Sequence, residues 1–100
     1  MGDDRTGVYT VISGAGVATC EEWLEVRGTG NVVENQIEAF GAGFLTAYNL
    51  YVFKGKNVAR GHSNESLILW ADRFCRANPK ERIAAMMEMM IYELNQTRVQ

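Results

Sequence analysis

Apolar positions recur along most of this chain with a helical period. Between 32 and 53, Val33, Ile37, Phe40, Phe44, Ala47, Tyr48 and Tyr51 fall on one stripe, which predicts a long helix from about Val32 to Phe53 with that face in the core. "KGKNVARGHSN" then reads as a polar loop, and Ser63 or Asn64 caps a third helix whose stripe is Leu67, Trp70, Ala71, Phe74 and Cys75. Asn78-Pro79 predicts the step to a last helix, with Asn78 at the N-cap, Pro79 at the first helical position and Glu81 at the third. That helix runs to about Thr97 and turns Ile83, Met87, Met90, Ile91 and Leu94 inward. A shorter helix is expected near residue 20. Thr19 caps it, Glu22 completes a capping box, and "RGTGN" stops it. Residues 1–18 show little helical pattern: "VYTVI" reads as a short strand and "SGAG" as a loop. The expected fold class is all-α, with four helices in one domain over 19–100 and an irregular N-terminal arm over 1–18.

The most apolar segment, "FGAGFLTAYNLY" (residues 40–51), also holds two glycines and an asparagine. Glycine costs a helix interior roughly 1 kcal/mol against alanine, so the two need a reason. On a helical wheel Gly41 and Gly43 flank the core stripe, where small residues let neighbouring helices approach. Asn49 falls on the far face with Ala42, Thr46 and Phe53, and these four are the candidate partner-binding residues. An asparagine both donates and accepts, so it can set register against a partner. The bland alternative is that Asn49 bonds internally and holds down the N-terminal arm.

Composition narrows the class without changing this picture. The 100 residues are 47% hydrophobic and 22% charged, enough for one core and against disorder. A net charge of -2 with mixed signs and no basic run gives no nucleic-acid footprint. The longest apolar stretch is too short and too polar to span a bilayer. "MGDDRTG" lacks the apolar core of a signal peptide and reads as the start of a mature polypeptide. Cys20 and Cys75 leave two readings open: two free thiols in a reducing compartment, or one disulfide in an exported protein. A bridge closing a loop of about 55 residues would contribute on the order of 4 kcal/mol through chain entropy.

Candidate chemistry is sparse. His62 is the only histidine and sits in a loop with Arg60 and Gly61. A zinc site is not expected from one histidine and two distant cysteines, and a solvated loop histidine is preferred to a Cys-His nucleophile pair. Neighbouring Glu21 and Glu22 point to different helix faces, while Glu81, Glu88 and Glu93 read as a solvated face. "SGAG" and "GTG" lack the strand–glycine–helix context of a phosphate cradle. Arg27 lies on the inward side near Trp23, where it either snorkels along apolar surface or makes an ion pair or partner contact. In "AAMMEMMIYEL", Ala85, Met89 and Tyr92 oppose the inward stripe. They are covered by a second layer of core or form a self-association patch. No catalytic residue, metal site or cofactor is expected.

Three features together carry a resemblance: "ATCEEWLEV", a long apolar helix, and "FCRANPKERI" leading into a closing helix. In the order of these elements, over roughly 17–95, the chain resembles the small periplasmic acid-stress chaperones of the HdeA type. It is also similar to the Rap/Tai-type immunity proteins of type VI secretion, through its C-x-x-W start, its glycine-containing helix "GFLTAYNLY" and its C-x-x-N-P step. The resemblance implies a small, disulfide-tied, all-helical HdeA-like domain in the periplasm, often dimeric and without catalysis, and places Cys20 and Cys75 where the family's bridge would be. The expected function is non-catalytic protein binding. The favoured form is an immunity-type protein that binds and inhibits a secreted amidase toxin; the alternative is an acid-stress chaperone for unfolded clients.

Overall fold

The computed structural model describes residues 14–97 and, before them, the backbone of two short strands, β1 (Gly2–Asp3) and β2 (Thr10–Val11), paired antiparallel. Four helices follow: α1 (Cys20–Val26), α2 (Val32–Ala47), α3 (Asn64–Ala77) and α4 (Ile83–Thr97). The domain is all-α, as the periodicity predicts. Of the expected strand, the Thr10–Val11 part is seen; the rest of "VYTVI" lies outside the described residues.

The helix starts follow the local chemistry. Thr19 accepts from the Glu22 amide at 3.2 Å, and its hydroxyl donates to the Glu22 carboxylate at 3.3 Å, so the box closes through the side chain. Asn31 caps α2 through the Val33 amide, and Ser63 caps α3 through the Ser66 amide. The start of α4 differs from the expected one. Asn78 is the C-cap of α3, its side chain donating to the Phe74 carbonyl at 3.0 Å, and α4 begins only at Ile83. The physical reason lies in α1. Its N-terminal amides need acceptors, and the 79–81 link supplies them: Cys20 donates to the Glu81 carbonyl at 2.7 Å and Glu21 to the Pro79 carbonyl at 2.9 Å. The Ile83 amide in turn donates to the Ala18 carbonyl. The 3₁₀ turn Ala15–Val17, expected in the arm, thus packs with the domain against α2 and α4.

α4 is the central helix, with Ile83, Met86, Met87, Met90, Ile91 and Leu94 all buried. Cys20 and Cys75, both fully buried, form a disulfide that ties α1 to α3 across a Cα separation of 4.8 Å.

The expected core stripe of α2 holds only in its middle. Ile37 is buried and Phe40, Phe44 and Tyr48 pack against the core, but Val33, Ala47 and Tyr51 are exposed, Tyr51 at 79%. After Ala47 the backbone widens into a π-helical turn, Tyr48–Val52, in which the Phe53 amide donates to the Tyr48 carbonyl five residues back. One extra residue per turn rotates everything that follows by about 100° relative to an α-helix. Tyr51 therefore swings outward, and Phe53 turns in beside Tyr48 with ring centroids 6.0 Å apart.

Candidate functional site

α2 and α3 each pack on α4 and make few contacts with one another. Between them lies a groove. Gly41, Ala42 and Leu45 form one wall, Leu67, Ile68 and Ala71 the other, and the floor is Met86, Met87 and Met90 of α4. Trp23 and Ile37 also line it, and its polar lining groups are Glu38 and Asn64. Gly41 lies close against this floor: a Cβ at this position would stand 3.3 Å from the Met87 sulfur, so the methionine would have to give. Gly43 faces open space, so only one of the two glycines has the packing role the wheel gave them.

The groove encloses about 90 Å³, well below the several hundred Å³ of a typical small-molecule site. It admits an apolar side chain rather than a metabolite, and its methionine floor can re-pack around an entrant. Neither polar residue at its edge is paired with a nucleophile or a base. Among the described residues no group of three or more histidine, cysteine or acidic side chains could hold a metal ion. His62 is exposed, with Nδ1 3.4 Å from the Ser66 hydroxyl.

The four residues expected on a partner-binding face do not share one free surface. Ala42 and Thr46 are exposed, and Ala42 borders the groove. Phe53 is turned toward the core by the π turn. Asn49 is already engaged. Its carbonyl oxygen accepts from the buried Val58 amide at 2.9 Å, and its amide nitrogen donates to Asn57 at 3.3 Å. It pins the 57–58 loop. Of the self-association candidates, Met89 and Tyr92 are exposed and Ala85 is half-buried.

Two buried carboxylates organise the end of the molecule around Trp23, and the helical periodicity gave no sign of either. Asp72 of α3 accepts from the Trp23 indole at 2.9 Å and from the Arg27 guanidinium at 3.2 Å, and Arg27 also lies 5.9 Å from the Trp23 ring centroid. Arg27 therefore makes an ion pair within the chain. Glu34, in the first turn of α2, accepts from the Gly28 amide and, at 2.9 Å, from the Gly30 amide. Both glycines have positive φ, 81° and 73°, and their alternate amides converge on the two oxygens of one carboxylate. "GTG" is thus an anion cradle whose anion is the chain's own Glu34. The two backbone hydrogen bonds hold the Glu34 pKa below its ordinary value.

The chain matches no protein-family model, no curated protein and no solved structure.

Proposed function

We propose that this chain is a non-catalytic periplasmic protein-binding domain of the immunity type, related to the HdeA-like proteins and acting as a homodimer, that binds and inhibits a secreted amidase toxin. The observation that carries the reading is the α2–α3 groove: apolar, methionine-floored, sized for an inserted side chain and without convergent acid–base groups. The Cys20–Cys75 disulfide suits an oxidising compartment. The test is titration of the protein into a secreted amidase encoded beside it. Stoichiometric inhibition is expected. Ala42→Arg, which places a charged side chain across the groove, should abolish inhibition without moving the thermal midpoint. Full inhibition by Ala42→Arg would remove the groove from the mechanism, and no inhibition by the native chain would end the immunity reading.

One observation favours a second reading, the acid-stress chaperone. The Glu34 cradle fastens the α1–α2 corner more strongly when its carboxylate is charged, so acid weakens the corner from which α2 starts. Suppressed aggregation of an unfolded client near pH 2, with no amidase inhibition at neutral pH, would favour that function.

A further inference from the structure

A second depression lies between α3 and α4, with Leu67, Met90 and Leu94 among its lining residues and a volume of about 400 Å³. Across it the Trp70 indole N–H donates to the Glu93 carboxylate, so the two helices are bridged at this point. The two helices carry similar pairs beside it. On α3, Leu69 lines the cleft and is 52% exposed, and Arg73 follows four residues later; on α4, Met89 lies outside the lining, is 47% exposed, and stands four residues before the cleft residue Glu93. A spacing of four puts each apolar residue and its charge on one helix face. The two charges are opposite in sign.

We propose that this cleft is the face on which a second copy of the chain docks. The argument is charge complementarity under two-fold symmetry. In an isologous pair each contact occurs twice with the roles exchanged. A two-fold axis along the cleft lays α3 of each copy over α4 of the other, so Arg73 reaches the partner's Glu93 in both directions while Leu69 and Met89 are covered. An axis across the cleft would lay α3 on α3 and α4 on α4, so the helix carrying Arg73 would face its own copy and the opposite charges would not be paired. The charges therefore select one of the two arrangements, and the exposed apolar residues on both helices supply the buried area. This rests on the reading of the chain as a homodimer and assigns its surface; the α2–α3 groove stays free for the toxin.

Sedimentation velocity of the full chain tests it. The native protein should be a dimer. Arg73→Glu alone and Glu93→Arg alone should each weaken association by more than about tenfold. Mixing the two variants should restore a dimer, because each copy then offers the charge the other lacks in both contacts. A folding defect from losing the Trp70–Glu93 bond would not be rescued by mixing. A native chain that is monomeric at every concentration would overturn the dimer itself. A native dimer that Arg73→Glu leaves intact, or single variants that mixing fails to rescue, would overturn this surface alone.

Discussion

Trp23 donates its indole N–H to Asp72 across 2.9 Å, joining residues 49 apart in sequence at the point where α1 meets α3. Both side chains are buried, and the other Asp72 oxygen takes the Arg27 guanidinium. Asp72→Ala leaves the indole N–H without its partner and should cost about 2–3 kcal/mol. Arg27→Ala should cost about 1 kcal/mol or less, because the Arg27 side chain is 36% exposed to screening solvent. Urea denaturation of both variants checks the ranking; equal losses would show that Arg27, not Trp23, is the main partner.

The two α2 glycines should respond oppositely to alanine. At Gly43 nothing stands within 4 Å of a new Cβ, so Gly43→Ala should gain roughly 0.5–1 kcal/mol from helix propensity. At Gly41 the same gain is offset by the Met87 contact, and the net change should be near zero or unfavourable. Thermal midpoints measured side by side decide this, and a larger gain at Gly41 would contradict the packing.

Removing both cysteines should destabilise the fold by about 4 kcal/mol, the chain-entropy value for a 55-residue separation. Against a typical total of about 5–15 kcal/mol for a domain, that is a large share. Denaturation with and without reductant measures it, and coincident curves would refute the assignment.

Acid should act through Glu34. Its folded pKa is depressed below the ordinary value of 4.5, so its contribution is complete above that value and is lost as pH falls through the folded pKa. Glu34→Gln should therefore be less stable than the native chain at neutral pH, and the gap should close in acid. Chemical denaturation of the pair across pH 7 to 2 reads this directly. A gap that persists at pH 2 would place the effect in packing rather than charge.

Asn49→Ala removes the acceptor of the Val58 amide, and Val58 is fully buried. A loss of roughly 1–3 kcal/mol is expected, with toxin inhibition intact at temperatures where the variant stays folded. An unchanged midpoint with weakened inhibition would return Asn49 to the partner surface.

The regular parts of this fold are legible in the sequence and its exceptions are not. The stripes of α3 and α4 follow from 3.6-residue periodicity, and the Thr19 and Ser63 caps from residue type. The π turn leaves no such trace, since widening the backbone by one residue changes no letter of "YNLYV"; α-helical periodicity therefore puts Tyr51 and Phe53 on each other's sides. The roles of Asp72 and Glu34 leave no mark in the periodicity, because their partners are fixed only by tertiary structure or by loop backbone. For the groove, the sequence offered Ala42 and the small neighbours of Phe40. Its methionine floor and α3 wall appear only once α4 is seen to separate α2 from α3.

The hydrogen bonds from Cys20 and Glu21 to the 79–81 link also set an order of events. α1 has seven residues, too few to persist alone in water, and its first amides close on carbonyls some 60 residues downstream. The segment that opens the helical domain is therefore completed by one that follows it by some 60 residues. Without the 79–81 link these first amides lose their acceptors, and a helix this short frays. Such non-local closure is slow relative to local helix formation, so α1 is expected to dock after the helices it closes on, a strap fastened to α3 by the disulfide and to the α3–α4 link by its first amides.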